Sequence, residues 1–269
     1  MIPLLLTASV DTRGMKGALF APEERERMYV NTLNYYIDEF ERRHIPGKIV
    51  FAENSGWRKD SILQKLCRSK AVGIEYMALD TDDFIQEKGK SYNELLMMDR
   101  AIERSQFIRE AGCFFKLTGR FPILNALALV DEAERWGKRH GGLKFYGDCK
   151  DHKIFDRLGV NINGHVGESR YYAVSTEFWN KHFRGRYVEM NDYEGCIVEN
   201  LILEVIRKTK HEGGVHCRYR TQAKFTGSGG HSLGSGSSFF HSTDNDSMVV
   251  KTKLGIRQLI RWTLPWLWL

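Results

Sequence analysis

The chain has 269 residues, enough for one large α/β domain or two small ones, and its 42% hydrophobic and 28% charged residues suit a sizeable core. A formal net charge of +6 favours anionic partners, whether nucleotide diphosphates, nucleic acid or an acidic lipid surface, without choosing among them. The five scattered cysteines, odd in number and without CxxC spacing, support neither a disulfide framework nor a structural zinc site and suit reduced thiols in a cytoplasmic protein.

Residues 1–8 are apolar but lack a basic leader and run straight into Asp11 and Arg13, so they read as a first core strand, not a signal peptide. The buried parallel strand is predicted over 4–10, followed by a polar, glycine-containing loop over 11–22. Over 23–43, Met28, Leu33, Tyr36, Ile37 and Phe40 recur at helical spacing. A second strand at 49–52 ends in Glu53-Asn54-Ser55-Gly56. A short helix at 61–69, a third strand at 72–79, a long helix at 92–112 and a fourth strand at 113–117 follow. This alternation predicts an α/β fold, a mostly parallel sheet with helices on both faces. Ligands of such sheets sit outside the carboxyl ends of the strands. The loops there, 8–17, 53–60, 80–92 and 118–125, hold most of the unusual polar residues.

In the second half, strands are predicted at 141–154 and 168–175, a short helix at 176–183, and a helix at 193–208 with Ile197, Leu201 and Val205 on one face. Residues 213–238 are Gly/Ser-rich and carry Arg218, Arg220, Lys224 and His231. Residues 251–269 interleave Lys251, Lys253, Arg257 and Arg261 with Leu254, Ile256, Leu259, Ile260 and Trp262. That pattern predicts an amphipathic helix lying in the plane of an anionic membrane surface, stopped or kinked at Pro265. A C-terminal core helix is the competing reading.

Three segments carry a family resemblance. Glu53-Asn54-Ser55-Gly56 ends the second strand, Gly89-Lys90-Ser91-Tyr92-Asn93-Glu94 opens the long helix, and Lys116-Leu117-Thr118-Gly119-Arg120-Phe121 follows the fourth strand, with Asn125 just beyond. In this order they resemble the bacterial capsule and lipopolysaccharide glycosyltransferases of GT-A-like type, in which ENS, GKxYxE and KxTGRY recur. Within that group the chain is similar to galactofuranosyltransferases. Ser91, Asn93 and Phe121 depart from the common pattern without removing a charged or donor group. The resemblance implies a UDP-sugar donor bound by Glu53, Asn54, Lys90, Glu94, Lys116, Thr118, Gly119 and Arg120.

Sugar transfer from a nucleotide requires that the leaving diphosphate be neutralised and the acceptor hydroxyl lose its proton. Where many GT-A enzymes carry a metal-binding Asp-x-Asp, this chain has Lys116, Thr118 and Arg120, so direct, metal-independent neutralisation is expected. Asp80-Thr81-Asp82-Asp83 and Asp148-Cys149-Lys150-Asp151-His152 are the rival sites for Mg²⁺ or Mn²⁺, or else solvated turns. Thr7, Asp11 and Arg13 in the first loop are expected to meet the nucleotide's base and ribose. Arg218 and Arg220 are candidates for a lid over the diphosphate, a basic linker being the alternative. For the base, Asp192 is favoured, with Glu194 and Glu199 as alternatives and helix capping as the competing role.

The resulting organisation is a GT-A-like domain at 1–210, a basic loop or lid at 211–250 and a membrane-associating tail at 251–269. The expected activity is inverting transfer, with galactofuranose as one candidate sugar, to a glycan or lipid-linked glycan acceptor. The expected location is cytoplasmic, peripheral on the inner face of the membrane. The rival is a nucleic-acid-binding module. No RRM, helix-turn-helix or zinc-finger pattern supports it, so no nucleic acid partner is expected, and the lack of a P-loop argues against a kinase.

Overall fold

A computed structural model describes residues 1–79, 82–151, 156–159, 164–228, 239–240 and 248–264. The elements run β1 (Leu4–Ala8), α1 (Pro22–Arg42), β2 (Gly47–Glu53), α2 (Lys59–Leu63), β3 (Val72–Ala78), α3 (Gly89–Arg104), α4 (Gln106–Ala111), β4 (Cys113–Thr118) and α5 (Ala126–Arg139). Then come β5 (Phe145–Asp151), β6 (His165–Ser175), α6 (Thr176–His182), α7 (Val198–Thr209), β7 (Val215–His216), β8 (Gly227–Ser228), β9 (Phe239–Phe240) and α8 (Met248–Thr263). The fold is α/β, with a seven-stranded sheet in the order β3-β2-β1-β4-β6-β5-β7. β3, β2, β1 and β4 are mutually parallel, β6 runs antiparallel to both its neighbours, and β7 is parallel to β5.

Successive strand residues point to opposite faces, and in β1 both faces are covered. Leu4 and Leu6 pack with Leu33 and Phe40 of α1 and with Leu129 and Val130 of α5. Leu5 packs on the other side with Met98 of α3, Trp179 of α6 and Ile202 of α7. The sheet is therefore a slab between two helical layers, and polar residues gather where its parallel strands end.

Two predicted helices are divided. The one expected over 92–112 breaks at Ser105, which is extended (φ −69°, ψ 124°) and caps α4 by accepting the Ile108 N–H. The Ser105 hydroxyl in turn donates to Glu75 of β3 at 2.5 Å, and Glu75 also accepts the Phe107 N–H, so a tertiary contact fixes the break. The helix expected over 193–208 starts only at Val198. Before it lies a 3₁₀ turn, Asp192–Glu194, ended by Gly195 in the left-handed region at φ 81°. Helix α5, absent from the sequence reading, covers the sheet face behind β4.

Candidate active site

A cleft opens at the carboxyl ends of β1 and β4. Thr7, Ser9 and Thr12 come from β1 and the loop after it, and Arg25 and Tyr29 from the start of α1. Lys90, Asn93, Glu94 and Met97 of α3 and Thr118 and Arg120 at the end of β4 complete the wall. Gly119 allows the close approach of the two strand ends. Its N–H donates to the Thr7 carbonyl at 3.2 Å. A Cβ there would sit 2.7 Å from that oxygen and 3.0 Å from the Tyr29 ring.

Beneath the cleft runs a charged column. Lys116, in the middle of the central strand β4, is 1% exposed. Its Nζ donates to Glu94 Oε1 at 2.6 Å and to the Ser169 carbonyl at 2.6 Å. Thr7 Oγ1 donates to the same carboxylate oxygen at 2.9 Å. Burial pushes the Glu94 carboxyl up, but the charges of Lys116 and Lys90 and the hydrogen bonds from Lys116 and Thr7 outweigh it and hold it at about 2. Burial acts oppositely on Lys116 and lowers its ammonium pKa despite Glu94. Lys116 is thus the internal counter-ion of Glu94 and lies beneath the cleft, not among the residues that line it, where a phosphate role was expected of it.

Lys90 and Arg120 do line it. Lys90 Nζ lies 3.5 Å from Glu94 Oε2 and 3.9 Å from Glu199 Oε1. Arg120 Nε is buried without a hydrogen-bond partner, as is Glu94 Oε2. Burial lowers the Arg120 pKa. Burial also acts to lower that of Lys90, but the charges of Glu94 and Glu199 outweigh it and the opposing charge of Arg120 and hold the Lys90 ammonium up. Two cations that repel each other, one with an unused donor, make a cleft that favours an anion.

The ENS segment builds the loops and does not itself line this cleft. Glu53, fully buried, accepts the N–H groups of Val10, Ser55 and Trp57 and the Ser55 hydroxyl. Asn54 accepts from Ser9 Oγ at 2.6 Å and donates to the Asn93 carbonyl at 3.4 Å. Glu53 and Asn54, expected on the donor, are positioning residues, because their polar atoms are spent on backbone and on Ser9. Asp11 accepts the Arg13 N–H at 2.8 Å, while Arg13 reaches the Ser55 carbonyl at 3.4 Å and lies over the Phe84 ring. Neither Asp11 nor Arg13 lines the cleft, whereas Thr7 and Thr12 do.

The carboxylates proposed as the base separate clearly. Asp192 is 8% exposed and accepts the N–H of Lys90 at 2.6 Å and of Ser91 at 3.2 Å. It therefore caps α3, packed so tightly on Gly89 (φ 82°) that a Cβ there would lie 2.7 Å from its own. Glu194 is exposed on the 3₁₀ turn. Glu199 Oε1 accepts the Ser169 hydroxyl at 2.5 Å and lies 3.9 Å from Lys90 Nζ, so of the three it is the one whose carboxylate faces a side-chain cation of the cleft.

Other expectations change with the packing. Asp148 accepts from Tyr171, Tyr219 N–H and Arg261, and Asp151 accepts from Arg207 and faces His165. With both carboxylates so engaged, this pair does not fit a metal, and no grouping of metal-ligating side chains occurs among the described residues. Asp80, Thr81, His152 and His231 lie outside the described residues, and Asp83 pairs with Arg100 at 3.1 Å. Arg218 is 5% exposed, and burial with the neighbouring Arg261 brings its guanidinium down to about 10. The Arg220 backbone is held at both ends, its N–H by Glu132 and its carbonyl by Gln258. Neither arginine lines the cleft, and residues 218–225, part of the expected lid or linker, form a pinned strap.

No protein-family model matches the chain, and no curated protein sequence is significantly similar to it. Among solved structures, it is similar to mouse xyloside xylosyltransferase 1 in its apo form, with 9% identity and a TM-score of 0.45 over 80% of this chain and 84% of that one. It is also similar to HddC from Yersinia pseudotuberculosis, with 12% identity and a TM-score of 0.35 over 66% of this chain and 78% of that one.

The sequence reading missed Arg25 and Tyr29. Arg25, 3% exposed, donates through Nε to the Ser9 carbonyl at 2.8 Å, and Ser9 N–H donates to the Tyr29 hydroxyl at 3.0 Å. The available signal was a cation flanked by Glu24 and Glu26, one helical turn before Tyr29, directly after the first loop.

Proposed function

We propose that the chain is a GT-A-like glycosyltransferase that takes a UDP-sugar in the cleft between β1, β4 and α3 and transfers its sugar to a glycan acceptor. The observation that supports this best is the meeting of Arg120, with its unused Nε, and Lys90 at the carboxyl ends of parallel strands. As the sugar–phosphate bond breaks, negative charge grows on the diphosphate, and fixed cations in a partly buried cleft stabilise that change. Glu94, ionised down to about pH 2, is a poor base, and its Oε2, which has no hydrogen bond and only the ion-pair contact with Lys90 at 3.5 Å, suits the role of accepting a sugar hydroxyl's hydrogen bond. Glu199 is the carboxylate for the acceptor's proton. The motif resemblance points to UDP-galactofuranose as donor, to a lipid-linked surface glycan as acceptor and to inversion.

Thermal-shift measurements with a panel of nucleoside diphosphate sugars test the reading directly. One UDP-sugar should raise the melting temperature, with about 2.7 kcal/mol of stabilisation at a hundred times its Kd, and EDTA should not remove the effect. A panel without any stabilising donor would sink the proposal.

Two carboxylate substitutions separate chemistry from capping. Glu199→Gln should cut turnover about 10²-fold or more with donor affinity kept. Asp192→Asn should chiefly lower stability, by roughly 1–2 kcal/mol, through the weakened cap. Normal turnover in Glu199→Gln would remove it from the base role.

A further inference from the structure

Helix α8 carries a surface that the cleft does not use. Among the described residues, the exposed large apolar side chains of the body, Met1, Leu158 and Val188, are scattered. The others, Met248, Ile256, Leu259, Trp262 and Leu264, all belong to α8 and the residue after it. Trp262 is 65% and Leu259 57% exposed. Met248, Thr252, Ile256, Leu259 and Trp262 follow one another at helical spacings of three and four, so they line a single face.

The opposite face is committed to the body. Arg261 Nη1 pairs with Asp148 at 2.9 Å and donates to the Tyr219 carbonyl at 2.8 Å. Gln258 donates to the Arg220 carbonyl at 2.6 Å and accepts the Gln222 N–H at 3.0 Å. These ties fix the helix's rotation and turn its apolar stripe outward. Arg261 is thereby withdrawn from the solvent, unlike the freely facing cation expected from the sequence.

The charge on this segment has one sign: from Met248 to Leu264 it has Lys251, Lys253, Arg257 and Arg261 and no Asp or Glu. No helix among the described residues is long and apolar enough to cross a membrane. An outward apolar stripe with a Trp, on a segment that carries Lys251, Lys253 and Arg257 besides the engaged Arg261 and has no acidic residue, matches an anionic bilayer, into which the stripe sinks while the segment's positive charge is drawn to the headgroups. We propose that α8 docks the protein flat on an anionic lipid surface through Ile256, Leu259 and Trp262. The strap that holds α8 also holds the loop of Arg120: the Gln222 carbonyl accepts from Asn125 Nδ2 at 2.9 Å, and Lys224 N–H donates to Asn125 Oδ1 at 2.8 Å. The lipid-facing helix and the anion-binding loop thus share one support. The proposal concerns the helix alone and stands whichever ligand the cleft takes.

Flotation with vesicles tests it on the full chain. The protein should float with vesicles of phosphatidylcholine mixed with phosphatidylglycerol and much less with phosphatidylcholine alone. The triple variant Ile256→Ser/Leu259→Ser/Trp262→Ser should weaken that binding at least about tenfold while its melting temperature stays put, since these side chains are outside the core. The control Leu158→Ser/Val188→Ser should float as the parent does. Equal flotation of the triple variant and the parent would overturn the proposal. So would a parent that ignores anionic vesicles but sediments as a dimer that the triple variant abolishes, because the stripe would then be covered by a second copy.

Discussion

Lys116→Met should destabilise the fold by about 3–5 kcal/mol at neutral pH, the range for removing one partner of a buried ion pair. The substitution keeps the bulk inside β4 but leaves Glu94 with Lys90, 3.5 Å away, as its remaining cation and with the Thr7 hydroxyl. It also removes the donor to the Ser169 carbonyl, which ties β4 to β6. Adding Glu94→Gln should recover much of the loss, because the uncompensated buried charge disappears with it. The pH dependence gives a second check. Glu94 is held at about 2 in the folded protein against an ordinary 4.5, so its contribution is present above about 4.5 and fades as pH falls toward 2. Urea midpoints of the parent should therefore drop across that window. In Lys116→Met the carboxyl should titrate higher, so the gap to the parent should narrow as the solution is acidified. A single variant as stable as the parent at neutral pH would mean that the pair is not what fills the space under the cleft.

That pair also shows what was legible in the chain. The apolar runs of β1 and β4 announced central parallel strands, and the alternation with helices announced the α/β class. The ligand loops followed from the rule that crevices lie at strand carboxyl ends, which is where Thr7, Thr118 and Arg120 are found. What a local reading could not supply was direction. Lys116 stands inside Phe114-Phe115-Lys116-Leu117, a strand position that points into one helical layer, and its partner Glu94 comes from a helix distant in sequence. Its alignment with Arg120 in one motif suggested a shared task, while the pleat sends it beneath the cleft. Glu53 likewise carries a charge that looks available for ligand, yet its oxygens satisfy backbone N–H groups of two loops. Asp192 is the same case across 102 residues of sequence, since its partner is the first turn of α3. Such long-range satisfaction of backbone donors leaves no periodic trace in the sequence.

Arg120→Ala should weaken UDP-sugar binding about ten- to a hundredfold and slow transfer, since a charge-assisted hydrogen bond is worth roughly 1.5–3 kcal/mol. With Lys116 spent on Glu94, the proposed phosphate role falls to Arg120 and Lys90, so the expectation rests on fewer cations than the motif suggested. The fold should largely tolerate the change: the side chain gives up its hydrogen bond with Tyr29, Nε has no partner to lose, and relief from burying a guanidinium offsets the lost contact. Stability and binding should thus separate, with the melting temperature of the free protein nearly unchanged and the UDP-sugar-induced shift largely gone. Arg120→Lys should restore part of the affinity, because an ammonium supplies charge without the planar fork that holds two phosphate oxygens. Isothermal titration with the donor, in EDTA and again with Mn²⁺, reads both points. A metal held by residues 80–83 makes the opposite forecast: EDTA would abolish binding, Mn²⁺ would restore it, and Arg120→Ala would be mild. Near-parental affinity of Arg120→Ala in EDTA would move the diphosphate away from the carboxyl end of β4 altogether.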